Sequence, residues 1–323
     1  MSKIFITRQI PEIGINILRE KGYDVTIGEN KTPPTEEELI NEIKDKNYDV
    51  VVTLLTDKIN NKVFDASPST KLFANYAIGY DNIDVEEATR RGVYVTNTPG
   101  DYVGGIAEHT IGLILALMAK LVPADTFVRQ GKYSGWDPMI FIGDKLEGKT
   151  VAIIGTGRIG EQVARKLYGG FGVKIVYFDT KRNEKIEKEC NALFVDSIDE
   201  TLSISDVISI HVPLLDSTHH LINKDNLKKM KPSAYLINTS RGAVIDEVAL
   251  VEALKSGQIR GAALDVYEFE PKLASGLIEL QNTILSPHIA SAQTESREDM
   301  SMIMAQNVVD YIEGRIPRNK VNK

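Results

Sequence analysis

Short apolar runs alternate with amphipathic stretches along almost the whole chain. Residues 3–6 (Lys3-Ile4-Phe5-Ile6) read as a strand, 10–21 space their apolar side chains as a helix does, and 23–27 read as the next strand. Thr35 and Glu38 have the T-x-x-E spacing that lets each side chain cap the other's backbone N–H, so a helix opens there and runs to about Lys46. Strands follow at 49–53, 72–75 and 93–95, with helices near 60–65 and 84–91. Such alternation predicts a parallel sheet wound by right-handed crossovers.

Thr98-Pro99-Gly100 interrupts the series, and a helix apolar on nearly all sides is expected over 104–121. A second alternating series then places strands at 150–154, 174–178, 207–211, 234–238, 261–264 and 283–285. After Ser286-Pro287 a last helix, 295–313, repeats Met300, Ile303, Met304, Val308 and Ile312 on one face. The second series is complete without it, so this helix is expected to return to the first domain, giving two chain crossings.

Composition narrows the class. A length of 323 residues at about 150 per domain gives two domains, and 42% hydrophobic with 26% charged residues is ordinary for a folded chain. The 38 basic residues against 45 acidic leave a net charge of −7, with the basic ones scattered, so nucleic acid and anionic membrane are poor partners. The eleven uncharged residues between Glu108 and Lys120 fall short of the roughly 20 of a membrane span. The N-terminus enters a strand pattern with no signal architecture, so a cytoplasmic protein is expected. Cys190 is the only cysteine and can form no internal disulfide. His219 and His220, being adjacent, are expected to point apart and to chelate badly, so no metal site is expected.

Gly155-Thr156-Gly157-Arg158-Ile159-Gly160 is a G-x-G-x-x-G directly after the strand 151–154 and at the start of a helix. Such glycines permit a tight turn and close approach of backbone to a pyrophosphate, which the helix N-terminus then holds. The following strand ends at Asp179, 19 residues after Gly160 (179 − 160), near the offset of about 20 expected for the acid that bonds an adenosine ribose. Asp179 favours NAD. Lys181 and Arg182 leave NADP open, or are simply a solvated turn.

Three more predicted strand ends carry Arg241, Glu270 and His288. Open α/β sheets place ligands at that edge. A guanidinium suits a carboxylate through paired hydrogen bonds, while an acid beside an imidazole orients the ring and favours its protonated form.

These residues stand in ordered segments: NYAIGYDNID (75–84), VYVTNTPG (93–100), AEHTIGLILAL (107–117), VAIIGTGRIG (151–160), INTSRGAVIDE (237–247), ALDVYEFEP (263–271) and LSPHIASA (285–292). With them the chain resembles the D-isomer-specific 2-hydroxyacid dehydrogenases over essentially its whole length, and within that family it is most similar to the glyoxylate/hydroxypyruvate reductases. The resemblance implies a catalytic set of Arg241, Glu270 and His288. It implies substrate contacts from Leu54 and from the backbone N–H groups of Ile78 and Gly79, beside Arg241 and His288. For the cofactor it implies Val103, Gly155, Gly157, Arg158, Ile159, Gly160 and Asp179, then His211, Pro213 and Thr218 as the adenine-side wall. On the nicotinamide side it implies Thr239, Ser240, Arg241, Asp265, His288 and Ala290, with Asp265 meeting the carboxamide. The segment 100–104 departs from the common family pattern.

The expected protein is thus α/β, with two doubly wound parallel-sheet domains. A flavodoxin-like substrate domain would comprise 1–99 and 288–323, and an inserted Rossmann domain 100–287. A homodimer is implied, joined in the region of the 104–121 helix. The expected reaction reduces glyoxylate or hydroxypyruvate with NAD(P)H. D-3-phosphoglycerate or D-lactate dehydrogenase are rivals, although 53–57 and 75–82 contain no Lys or Arg to meet a substrate phosphate. A dinucleotide-sensing corepressor or scaffold is the rival of another class, and the end of the chain soon after the last helix argues against it.

Overall fold

The first series of runs forms five parallel strands: β1 (Lys3–Ile6), β2 (Asp24–Ile27), β3 (Val50–Leu54), β4 (Leu72–Tyr76) and β5 (Tyr94–Thr96), in the order β2-β1-β3-β4-β5. This is the flavodoxin-like order. Between them run α1 (Glu12–Glu20), α2 (Glu36–Ile43), α3 (Asn61–Ala66) and α4 (Val85–Arg90). The expected capping box opens α2: Thr35 Oγ1 accepts from Glu38 N at 3.2 Å, and Glu38 Oε2 accepts from Thr35 N at 2.7 Å. The structure, a computed structural model, describes residues 1–100 and 102–322. Asp101, in the segment that departs from the family pattern, and Lys323 lie outside the described residues.

The second series begins with two helices, α5 (Val103–Met118) and α6 (Leu121–Arg129). The sheet is built from β6 (Thr150–Ile154), β7 (Lys174–Phe178), β8 (Leu193–Phe194), β9 (Val207–Ile210), β10 (Tyr235–Asn238), β11 (Gly261–Leu264) and β12 (Thr283–Leu285). Its crossovers are α7 (Arg158–Phe171), α8 (Glu184–Cys190), α9 (Ile198–Ile204), α10 (Lys224–Leu227) and α11 (Glu247–Lys255). All seven strands are parallel, in the order β12-β11-β10-β9-β6-β7-β8. The order turns back between β6 and β9, which is the switch point where such sheets bind ligands. Buried Val, Ile, Leu and Ala side chains cover both sheet faces, with α5 and α7 on one of them.

The last helix, α12 (Thr294–Ile312), packs on α1 and β4, as the sequence pattern requires. Ser301 Oγ joins it to α1, donating to Pro11 O at 2.7 Å and accepting from Gly14 N at 3.1 Å.

The chain divides into one unit of residues 1–102 with 292–323, and a second of 103–291. The crossings therefore differ from the expected 99/100 and 287/288. Tyr102 stays with the first unit because its ring joins that core and its hydroxyl donates to the Thr98 carbonyl. Residues 289 and 290 stay with the second because both backbone N–H groups donate to Asp265. His288 consequently belongs to the second unit.

Two further differences are local. The helix expected to reach residue 121 stops at Met118, because Lys120 takes a left-handed conformation (φ 57°) before α6 begins. The second difference is α6 itself, which the sequence pattern does not place; Pro123 sits in its first turn, where no intrahelical N–H is missed. Among the described residues no single helix is long and apolar enough to cross a membrane.

Candidate active site

The glycine loop joins the end of β6 to α7 and uses its three glycines differently. Gly155 has φ +91°, and a Cβ there would lie 2.9 Å from the His211 carbonyl carbon. A Cβ on Gly160 would lie 2.1 Å from the Gly155 oxygen. Fold geometry therefore requires both. Gly157 has an ordinary φ of −66°, and an added Cβ would meet nothing within 4 Å. The fold does not need glycine there, whereas a pyrophosphate approaching the backbone at the start of α7 does. The residues present thus fit a dinucleotide.

Asp179, just beyond β7, accepts from Thr156 N at 2.7 Å and Thr156 Oγ1 at 2.8 Å, which sets its carboxylate beside the loop. Burial pushes its pKa up, but the bonds from Thr156 and Thr180 outweigh that and leave it below the usual carboxylate value. It is charged at neutral pH. Arg182 is taken up by Glu187 through two bonds of 3.0 Å, while Lys181 is exposed.

At the same edge the ends of the adjacent strands β10, β11 and β12 carry Arg241, Glu270 and His288. Asn238 shapes the first turn: its Oδ1 accepts from Ser240 N (3.0 Å) and Oγ (2.8 Å), and its Nδ2 donates to Arg241 O (2.9 Å). Thr239 is fixed to α5 by a 2.9 Å hydroxyl contact with Thr110. Gly242 then lets this turn lie directly on the loop bearing Glu270, since a Cβ would fall 1.9 Å from the Tyr267 carbonyl carbon. His288 Nδ1 lies 2.9 Å from Glu270 Oε2, and Glu270 Oε1 accepts from Tyr267 N at 3.0 Å. The pair is reachable by a small molecule, with 26% of the His288 side chain and 28% of the Glu270 side chain exposed.

His288 has a left-handed backbone, φ 55°. Asp265, fully buried, holds that turn in place. Its carboxylate accepts from Ser286 Oγ (2.6 Å), Ile289 N (2.9 Å) and Ala290 N (2.7 Å), and His109 Nε2 stands 3.5 Å away. Burial raises the Asp265 pKa, yet these donors bring it below the usual value, so it is an anion at neutral pH. The sequence offered Asp265 as a carboxamide contact; its part in framing the His288 turn was not visible there.

The other residues named from sequence fall around the same edge or in the first unit. Arg158 and Ile159 form the first turn of α7, and Val103 opens α5. His211 follows β9, where burial pushes its imidazole down to about 3 and keeps it neutral; its Nε2 lies 2.8 Å from Ser209 Oγ. Thr218 Oγ1 closes the 213–218 turn by donating to Pro213 O (2.6 Å) and accepting from Leu215 N (2.8 Å). In the first unit, Leu54 ends β3, and Asn97 and Asn75 bind the carbonyls of Ile78 (2.7 Å) and Gly79 (2.8 Å). The N–H groups of Ile78 and Gly79 have no protein partner among the described residues. They are available to an anion.

One expectation is overturned. His219 and His220 do not point apart: their rings stack with centroids 4.1 Å apart, because His220 has φ +50° and turns its side chain to the same side.

The chain is similar to known proteins over nearly its whole length. The profile of the D-isomer specific 2-hydroxyacid dehydrogenase NAD-binding domain matches residues 111–290. A glyoxylate reductase of Thermococcus litoralis is 46% identical over 99% of this chain and 97% of its own length. A D-isomer specific 2-hydroxyacid dehydrogenase structure from Polaromonas superposes with a TM-score of 0.91 at 30% identity, covering all of both chains. The NADPH-dependent glyoxylate/hydroxypyruvate reductase of Sinorhizobium meliloti, solved with NADP and malonate, gives 0.87 at 30% identity, covering 99% of this chain and 96% of that one. With a glycine loop between strand and helix, an acid beside it and an Arg, Glu and His set on one sheet edge, the chain belongs to the D-isomer-specific 2-hydroxyacid dehydrogenases and is an NAD(P)-dependent oxidoreductase.

Proposed function

We propose that the protein reduces a small 2-keto acid, glyoxylate or hydroxypyruvate, to the 2-hydroxy acid. The observation that carries this reading is the 2.9 Å pairing of His288 with Glu270 beside the Arg241 turn, in the unit that holds the glycine loop. When bound, NAD(P)H supplies the hydride for the keto carbon. Nδ1 of His288 is committed to Glu270, so Nε2 is the atom that carries a proton to the keto oxygen. Arg241 binds the substrate carboxylate through its guanidinium. In the first unit, the Ile78 and Gly79 N–H groups are a further set of donors suited to an anion.

A small substrate is favoured over a phosphorylated one. The segments 53–57 and 75–82 carry no cation, and Arg8, which reaches that region, is engaged by Thr56 Oγ1 (2.6 Å) and Asp57 (3.5 Å). The test is nicotinamide oxidation with a panel of 2-keto acids: turnover of glyoxylate or hydroxypyruvate is expected, and turnover confined to phosphohydroxypyruvate would overturn the assignment.

The same assay decides the cofactor. Asp179 repels a 2′-phosphate at close range, and the guanidinium of Arg182, three residues on, is already paired with Glu187. Exposed cations such as Lys181 contribute only about 0–1 kcal/mol. NADH is therefore expected to exceed NADPH in kcat/KM by roughly tenfold, or about 1.4 kcal/mol, and Asp179→Ser to shrink or reverse the ratio. Equal efficiency in the unmodified protein would show that the basic pair governs the pocket.

A homodimer completes the reading, though on different residues from those expected. The apolar faces of α5 are covered within the second unit by α7, β10, β11 and β12. The uncovered apolar side chains lie on α6 and just after it: Leu121, Val122, Val128, Tyr133, Trp136 and Met139, with Trp136 84% exposed. A two-fold contact there would bury them. Light scattering at micromolar concentration should give twice the chain mass; a monomer would remove the idea. The charge pattern leaves nucleic acid and anionic membranes outside the expected partners, and the cytoplasm remains the expected compartment.

A further inference from the structure

The loop that carries Glu270 also contributes to a cluster of ligating atoms that the dehydrogenase reaction does not use. His219 and His220 follow the 213–218 turn, and Glu268 stands two residues before Glu270. One ligand atom from each of the three lies within 4.8 Å of the other two. We propose that His219, His220 and Glu268 form a binding site for a borderline divalent transition-metal ion of the Zn2+ class.

Three observations support a built site. The first is backbone: adjacent residues normally diverge, and only the left-handed conformation of His220 (φ +50°) brings the two imidazoles together, at 4.1 Å and 27° between planes. That conformation is anchored, since His220 N donates to Ala243 O at 2.9 Å. The second is the fixed carboxylate. The Glu268 side chain is only 9% exposed; its Oε2 accepts from Glu247 N at 3.2 Å, while Glu268 N donates to Glu247 Oε2 at 2.8 Å. Its Oε1 is left facing His220 Nε2 at 2.8 Å. The third is an open side: His219 is exposed, and its ring has no hydrogen-bond partner among the described residues.

The donor set selects the ion. Two imidazoles and one carboxylate suit zinc, cobalt, nickel or copper, whereas calcium and magnesium require mostly oxygen ligands. Binding exchanges the proton between His220 Nε2 and Glu268 Oε1 for a metal. With bonds near 2.0–2.2 Å at tetrahedral angles, that pair opens only to about 3.4 Å. His219 supplies the third ligand by a side-chain rotation, and water takes the exposed fourth position. The ion would tie the 213–220 segment to the loop that carries Glu270, so it should stabilise the folded state in proportion to its concentration over Kd.

The test uses the whole protein without a histidine tag. Titration with Co2+ should give one equivalent of tetrahedral visible absorption, displaced by Zn2+, and Zn2+ should raise the melting temperature. His219→Ala, which alters an exposed ring, should weaken Co2+ and Zn2+ binding at least tenfold and abolish the thermal shift. Glu268→Gln should weaken binding as well, whereas His288→Ala should retain it, separating this site from the His288–Glu270 pair. No stoichiometric Co2+ binding, or binding unchanged in His219→Ala, would overturn the proposal. Neither result bears on keto-acid reduction, which is assayed independently.

Discussion

Replacing His288 with alanine should lower kcat by roughly 10²–10⁴-fold, the range associated with a positioned general acid. The expectation rests on the division of labour within the β12 turn. Its backbone is held by Asp265 through Ile289 N and Ala290 N, and by Ser286 Oγ, none of which involves the His288 ring. Among the described residues the ring's hydrogen bond is to Glu270, at 2.9 Å. Truncation therefore removes the proposed proton donor and leaves the frame standing. Melting temperature should be close to that of the unmodified protein. A loss in kcat below about fivefold, with folding intact, would place the proton donor elsewhere.

Arg241→Ala should act on substrate binding more than on the chemical step. Hydrogen bonds to charged groups contribute about 1.5–3 kcal/mol each, so losing the guanidinium should raise the keto-acid KM by roughly 10- to 150-fold. The turn itself should survive. Asn238 supports it through Ser240 and the Arg241 carbonyl, and Gly242 preserves its contact with Tyr267. Arg241→Lys should recover only part of the loss, because an ammonium lacks the planar fork that matches a carboxylate. An unchanged KM in the alanine variant would mean that the carboxylate is bound without Arg241.

The parts of this protein that were legible in its sequence are those written in local pattern. Period and punctuation located the strands other than the two-residue β8, because fully buried parallel strands read as continuous apolar runs such as Val151-Ala152-Ile153-Ile154. The glycine loop was legible because its spacing stands directly between a strand and a helix, and Asp179 because its offset is fixed by one strand–helix–strand unit. Arg241, Glu270 and His288 were legible as strand-end residues, and β10, β11 and β12 prove to be neighbours.

What was hidden depends on long-range contact or on single backbone angles. Asp265 reaches over 21 to 25 residues to Ser286, Ile289 and Ala290, and nothing near residue 265 announces it. The apposition of His219 and His220 depends on one positive φ, and Glu268 arrives 48 residues after His220. The crossings moved by a few residues because Tyr102 and Ala290 are held by side-chain hydrogen bonds rather than by their own propensities.

The central claim is direct transfer of a hydride to the keto carbon, with the proton delivered separately by the protein. The most direct measurement is reduction of glyoxylate by nicotinamide cofactor deuterated at C4 on the transferred face, run in ordinary water. The expected product is glycolate with one deuterium on C2, the other hydrogen on that carbon being the aldehyde hydrogen of glyoxylate and the solvent proton residing on oxygen. Glycolate without deuterium, or label released into water, would contradict it.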